Sequence, residues 1–239
     1  MLKHSGGLKL MNKLIYIADD EENIRHIMQM FLEKEGFQTE GFADAQALSA
    51  QMQQKMPDLI ILDIMMPGED GLSFCAKIRE RSRVPIIIVS AKGNETDRIT
   101  GITLGSDDYI AKPFSPLELV VRVKALLRRA GYAAENQPSS SVAFGDIILE
   151  KGAREAFCQQ KLLALTPTEF DFLDYMITSY PNAVSREKLL KELWQFDFET
   201  DTRVADDLVK RLRKKLLQVE SGVIIETVWG FGFRLKKEE

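Results

Sequence analysis

Pro57-Asp58-Leu59-Ile60-Ile61-Leu62-Asp63-Ile64-Met65-Met66-Pro67-Gly68 decides how this chain folds. Its aliphatic run is too short for a helix, and it ends in a carboxylate followed by a Pro-Gly turn. Such a run reads as a strand buried between covering layers. Three other runs share the form: Leu14-Ile15-Tyr16-Ile17-Ala18 ends in Asp19-Asp20, Pro85-Ile86-Ile87-Ile88-Val89 ends in Ser90, and Tyr109-Ile110-Ala111 ends in Lys112-Pro113. If these strands are parallel, three carboxylates, a hydroxyl and a lysine converge on one edge of one sheet. Clustered carboxylates repel one another unless a cation neutralises them. The grouping therefore suggests a hard divalent cation with oxygen ligands.

Outward from that run, residues 13–129 alternate strands and helices. The strands fall at about 13–18, 37–42, 58–63, 85–90 and 107–111, and the helices at about 21–35, 44–55, 71–81, 94–104 and 115–129. Five strand-then-helix repeats imply a flavodoxin-like α/β domain, a doubly wound parallel five-stranded sheet with right-handed crossovers. Residues 1–12 read as an N-terminal extension, and 130–141 have the composition of a flexible linker. Residues 142–239 form an α+β domain of another kind. Short antiparallel strands over 142–165 break at Gly145-Asp146 and Lys151-Gly152. Thr166-Pro167-Thr168-Glu169 then starts a helix with a capping box. That helix stops before Pro181, Ser185 caps a second reaching Trp194, and a third covers about 202–219. A hairpin follows, from Val223 to Leu235 around Trp229-Gly230-Phe231-Gly232. Three helices and a hairpin describe a winged helix-turn-helix.

Length fits two ordinary domains, since 239 residues exceed the usual size of one. No apolar stretch approaches the roughly 20 residues of a membrane span, and the first residues do not read as a signal peptide. Cys75 and Cys158 lie far apart and read as inert thiols of a reduced, cytoplasmic protein. The net charge of −4 gives no hint of nucleic acid, and neither half is basic. The electrostatic signal is local: Arg203, Lys210, Arg211, Arg213, Lys214 and Lys215 face only Asp206 and Asp207 within one short stretch.

In an open parallel sheet, ligands bind beyond the carboxyl ends of the strands. The first strand is followed by Ala18-Asp19-Asp20-Glu21-Glu22, not by a Gly-rich phosphate cradle. A phosphate there would meet carboxylates and be repelled without a metal. The set suits an aspartate that takes a phosphoryl group as an acyl phosphate with Mg²⁺ present. Lys112 would pair with phosphoryl oxygens and Ser90 would donate a hydrogen bond. Taken singly, each has an ordinary reading: an Asp after a strand caps a turn or a helix, and Ser90 can cap the next helix. All of them at successive strand ends are hard to produce by accident.

Residues 13–129 resemble the receiver domain of two-component response regulators. The matching segments are Ile17-Ala18-Asp19-Asp20-Glu21, Leu62-Asp63-Ile64-Met65-Met66-Pro67-Gly68-Glu69-Asp70-Gly71, Val89-Ser90-Ala91 and Gly105-Ser106-Asp107-Asp108-Tyr109-Ile110-Ala111-Lys112-Pro113-Phe114. The resemblance implies Asp63 as phosphoacceptor for a sensor histidine kinase, with the receiver assisting its own phosphorylation and dephosphorylation. It implies Asp20, Asp63 and the Met65 carbonyl as ligands of Mg²⁺ or Mn²⁺, with Asp19 joining through water. Ser90 and Lys112 resemble the switch hydroxyl and phosphate-pairing lysine, and Tyr109 the switch aromatic. A cis Lys112-Pro113 peptide is also implied; only X-Pro bonds adopt that form cheaply.

Arg98, Asp107, Asp108, Glu118, Arg122 and Lys124 are expected on an exposed face resembling the symmetric dimer face of the OmpR/PhoB subfamily. The implied pairs are Arg98–Glu118, Asp108–Arg122 and Asp107–Lys124, in a homodimer formed on phosphorylation. An ordinary solvated surface is the other reading.

On a helical wheel, Ala205, Leu208, Val209, Leu212 and Leu216 share a buried stripe. Arg203, Asp207, Lys210, Arg211 and Lys214 point away from it. Residues 142–236 resemble the OmpR/PhoB effector domain, which implies double-stranded promoter DNA as partner. Arg203 to Leu216 match its recognition helix and Glu226 to Leu235 its wing, with Arg234 a DNA contact. The chain departs from the family in carrying Trp229 where Arg is usual, Phe233 where Tyr is common and Asp207 where an apolar residue is common. Trp194 and the stretch Gln195 to Asp201 resemble the loop that meets RNA polymerase. The rival readings are a regulator that works without phosphate, and a flavodoxin-like nucleotide or flavin enzyme. The acidic set argues against the first and the missing Gly-rich loop against the second.

Overall fold

The computed structural model describes residues 12–91, 101, 104–131, 140–194 and 203–237, residue 203 by its backbone alone. The chain divides into two compact units, Met1–Ala133 and Ala134–Glu239.

The first unit runs β1 (Leu14–Ala18), α1 (Glu22–Lys34), β2 (Gln38–Phe42), α2 (Ala45–Gln54), β3 (Leu59–Asp63), α3 (Gly71–Arg81), β4 (Ile86–Ser90), β5 (Asp108–Ala111) and α4 (Pro116–Arg129). The helix expected over 94–104, with Arg98, lies outside the described residues apart from 101 and 104. All four pairings in the sheet are parallel, in the order β2-β1-β3-β4-β5. Leu59 and Ile61 join the layer that α1 and α4 cover, and Ile60 and Leu62 the layer that α2 and α3 cover. All four are fully buried, each contributing about 1.5–3 kcal/mol. That two-sided burial is why the run shows no alternation.

Local chemistry sets the helix starts. Asp44 Oδ1 accepts from Ala47 N to cap α2, and Asp70 Oδ1 accepts from Leu72 N and Ser73 N to cap α3. Gly71 opens α3 against β3: a Cβ there would lie 2.0 Å from the Asp63 carbonyl oxygen.

Asp107 corrects the sequence reading. It was expected on an exposed face, opposite Lys124. Instead it is 1% exposed, and its Oδ2 accepts from Arg79 Nη2 at 2.7 Å and from Ile86 N at 3.0 Å. Arg79 also donates to the carbonyls of Gly105 and Val84. The pair clamps the segment before β5 to the end of α3 and the start of β4. Lys124 pairs with Glu35 at 2.5 Å.

In the second unit, β6 (Ser141–Phe144), β7 (Ile147–Glu150), β8 (Glu155–Cys158) and β9 (Lys161–Leu163) form an antiparallel meander. Gln159 and Gln160 turn the last hairpin, both with positive φ. The residues favoured in such turns are Asn and Gly, so the sequence did not mark this one. There follow α5 (Pro167–Ser179), β10 (Val184–Ser185), α6 (Arg186–Trp194), α7 (Arg203–Gln218), β11 (Val223–Val228) and β12 (Gly232–Lys237). The capping box is present: Thr166 Oγ1 accepts from Glu169 N, and Glu169 Oε2 accepts from Thr166 N. Ser185 Oγ accepts from Lys188 N at the start of α6. β10, too short to read from sequence, joins the hairpin as a third strand through Val184↔Phe233 and Ser185↔Gly232. A Cβ on Gly232 would lie 1.9 Å from the Val184 carbonyl oxygen, so only glycine permits that pairing. Among the described residues, no helix is long and apolar enough to cross a membrane.

Candidate functional site

Because the strands are parallel, their carboxyl ends share an edge, and the acidic residues meet there. Asp19 follows β1, Asp63 closes β3, Ser90 closes β4 and Lys112 follows β5. Asp19, Asp63 and Ser90 are buried, and Asp20 is exposed. Carboxylate oxygens of Asp19, Asp20 and Asp63 lie within 4.8 Å of one another. Lys112 Nζ lies 2.6 Å from Asp63 Oδ2, 2.8 Å from Asp19 Oδ2 and 3.3 Å from Glu21 Oε1. The other oxygen of each buried aspartate is held by backbone: Asp63 Oδ1 accepts from Met65 N at 3.0 Å, and Asp19 Oδ1 from Glu21 N at 2.9 Å. The Lys112 amide donates to the Ser90 carbonyl at 2.7 Å, which joins the β4 and β5 ends. Lys112-Pro113 is cis, as is Tyr180-Pro181. Tyr109 is 3% exposed and packs in the layer beneath α2 and α3.

Burial pushes the Asp19 carboxyl above its ordinary range, against the opposing pull of Lys112. Burial would lower the Lys112 ammonium, but its hydrogen bonds and charge pairing with Asp19 and Asp63 outweigh this, and its pKa is raised. Among the described residues, the carboxylates of Asp19, Asp20, Asp63 and Glu21 outnumber the ammonium of Lys112 there. The carboxylate groups that meet offer hard oxygens. That set suits Mg²⁺ or Mn²⁺ and leaves a fixed aspartate oxygen beside an ammonium group. Sequence reasoning missed Glu21 as a partner of Lys112, although it is the third acid in the run after β1.

On α4, Arg122 reaches Asp108 Oδ1 and Oδ2 at 3.1 Å and Glu118 Oε1 at 3.0 Å. Burial pushes Asp108 up despite that arginine. Leu117 and Val121 stand exposed on the same helix. They lie off its buried stripe, and that was the available sign of them.

In the second unit, Ala205, Leu208, Val209, Leu212 and Leu216 are buried, as the wheel implied. Lys210 and Lys214 are exposed. The Arg203 side chain and the stretch 195–202 lie outside the described residues. Arg211 is half-buried and lies 3.7 Å from Glu169, which also holds Lys215 at 2.5 Å. Asp207 is half-buried as well. Arg213 ties α7 to β11, donating to the Ile225 carbonyl and to Thr227 Oγ1. Arg186 ties α6 to α7 through a two-pronged bond to Asp206. Arg234 pairs with Glu226, Trp194 is buried and Trp229 is 92% exposed.

Two family models match the chain: the response regulator receiver domain over residues 15–124, and the C-terminal domain of transcriptional regulatory proteins over 159–235. The transcriptional regulatory protein ResD of Bacillus subtilis (strain 168) is 42% identical over 228 residues, covering 93% of this chain and 95% of ResD. The transcriptional regulatory protein SrrA of Staphylococcus aureus (strain NCTC 8325 / PS 47) is 38% identical over 232 residues, covering 95% and 96%. A solved structure of a RitR mutant superposes with a TM-score of 0.67 at 22% identity, covering 95% of this chain and 100% of that one, a likeness of fold alone. A receiver joined to a winged-helix DNA-binding domain, each matched by its own family model and both spanned by these relatives, makes this chain a two-component response regulator of the OmpR/PhoB subfamily.

Proposed function

We propose that Asp63 is the phosphoacceptor of a cytoplasmic transcription factor that a sensor histidine kinase switches on. The observation that carries this reading is the set of Asp19, Asp20 and Asp63 within 4.8 Å, with Lys112 held 2.6 Å from Asp63. Asp19, Asp20, Asp63 and the Met65 carbonyl would hold Mg²⁺ or Mn²⁺, which when bound screens repulsion between the carboxylates and the incoming phosphoryl group. An Asp63 oxygen forms the new bond to phosphorus as the donor's bond breaks. Lys112 exchanges its carboxylate partners for phosphoryl oxygens, and Ser90 donates a hydrogen bond to one of them. Tyr109 follows Ser90 as the switch aromatic. The same groups assist hydrolysis of the acyl phosphate.

Phosphorylation then favours a symmetric dimer through Arg98, Asp108, Glu118, Arg122 and their neighbours. On promoter DNA, Lys210 and Lys214 serve as phosphate contacts, with Arg203, Arg211, Arg234, Trp229 and Asp207 at the same interface. The stretch 195–201 meets RNA polymerase. The domains are 13–129 and 142–239, joined by the linker 130–141.

The test is intact mass after incubation with acetyl phosphate or phosphoramidate. One phosphoryl adduct is expected with Mg²⁺ and none with chelator, and Asp63→Asn abolishes it. An adduct that survives this substitution overturns the assignment.

A further inference from the structure

Lys112 has a third carboxylate partner beyond the two buried aspartates. Its ammonium lies 2.6 Å from Asp63 Oδ2 and 2.8 Å from Asp19 Oδ2, and also 3.3 Å from Glu21 Oε1. The Glu21 side chain is 58% exposed. Glu21 occupies the N-cap position of α1, yet its side chain makes no capping hydrogen bond there. Its backbone is pinned on both sides. The amide donates to Asp19 Oδ1 at 2.9 Å, and the carbonyl accepts from Arg25 N at 3.0 Å. The carboxylate is thus set beside the pocket and serves Lys112, not the helix. Asp19 Oδ1 is engaged by the Glu21 amide, and Asp63 Oδ1 by the Met65 amide. The oxygens that the backbone leaves open are the two Oδ2 atoms, and Lys112 holds both. A divalent cation and an ammonium cannot share those oxygens without repelling each other.

We propose that Glu21 is a positioning residue for Lys112: it keeps the ammonium at the pocket while Asp19 and Asp63 turn to the divalent cation, and so sets how readily the pocket fills. This rests on the reading of Asp63 as phosphoacceptor and deepens it. An ammonium that leaves two buried carboxylates for water loses its charge pairing. One that shifts toward a carboxylate already 3.3 Å away keeps it. Glu21 is not among the residues that would hold the cation, so it acts through Lys112. Its exposure limits the effect, because water screens an open ion pair.

Calorimetric titration of the full, unphosphorylated chain with Mg²⁺ tests this. Glu21→Gln should raise the dissociation constant roughly two- to fivefold, the span of a screened ion pair. Glu22→Gln removes the same charge from the first turn of the same helix and should leave the constant unchanged. Glu21→Asp should behave as Glu21→Gln, because the shorter side chain falls short of Lys112 and caps α1 instead. In a Lys112→Met background, Glu21→Gln should have no effect. Phosphorylation by phosphoramidate gives a second readout: Glu21→Gln should need more Mg²⁺ for half-maximal rate, with no fall in the maximal rate. Equal Mg²⁺ affinity in wild type and Glu21→Gln overturns the proposal. So does a Glu21→Asp chain that binds like wild type, since charge alone then suffices. An undiminished Glu21→Gln effect beside Lys112→Met overturns it too, and where that background does not fold, Glu21→Asp decides. All three outcomes leave Asp63 as phosphoacceptor. A wild-type chain that takes up neither Mg²⁺ nor a phosphoryl group removes both readings.

Discussion

Lys112 places its ammonium 2.6 Å from Asp63 Oδ2, and the lysine side chain is only 8% exposed. It pairs with both buried aspartates, Asp19 and Asp63. Lys112→Met should therefore cost the receiver roughly 3–5 kcal/mol in chelator, as when one partner of a buried pair is removed. Adding Mg²⁺ should recover part of the loss. The raised pKa of Lys112 means that its contribution is fully present below the ordinary lysine range and is lost only as pH rises through its higher folded value. The gap between wild type and variant should thus close only above about pH 10.4. Urea unfolding across pH, with and without Mg²⁺, reads both effects. A gap that closes near neutral pH would contradict this account.

Beryllofluoride, as a mimic of the phosphoryl group, should shift the receiver from monomer to dimer. Glu118→Arg should weaken that dimer, and adding Arg98→Glu should partly restore it, because the proposed pair is then reversed rather than lost. Mass by light scattering checks this. One mass in both states would reject the dimer.

Asp107 separates an interface role from a structural one. It accepts from Arg79 and from the Ile86 amide in a buried site. Asp107→Ala leaves a guanidinium and an amide without that acceptor, so it should cost roughly 3 kcal/mol of receiver stability. Dimerisation of the fraction that remains folded should be unchanged. Denaturant unfolding beside light scattering distinguishes the two, and a stable variant that fails to dimerise would return Asp107 to the interface.

Asp146 ties the β6–β7 turn to the segment after α7, accepting from Ser221 Oγ at 2.7 Å and from Gly222 N at 2.9 Å. Burial opposes ionisation there, but these hydrogen bonds outweigh it and hold the carboxyl below its usual range. A depressed folded pKa stabilises above the unfolded value, and that stabilisation is lost as pH falls through the folded one. Asp146→Ala should cost about 1–3 kcal/mol at neutral pH. The difference should shrink only below about pH 3.9. Unfolding free energies at a series of pH values test this, and a difference that vanishes near pH 6 would refute it.

Short-range chemistry in the sequence determined most of the first unit and its acidic edge. The runs at Leu14–Ala18, Leu59–Asp63 and Ile86–Ser90 are apolar because helices cover both faces of the sheet. The residue that ends each run lies at the edge where parallel strands finish. Thr166 and Glu169 announced their capping box because both halves lie within one helical turn. Tertiary structure alone decided the partners of charged side chains, because long flexible stems choose among acceptors distant in sequence. Asp107 went to Arg79 and not to Lys124, Arg211 turned toward Glu169, and Glu226 took up Arg234 and Lys236. Pattern placed Trp229 in a turn; only the folded hairpin left its indole bare, because among the described residues no element packs over the tip.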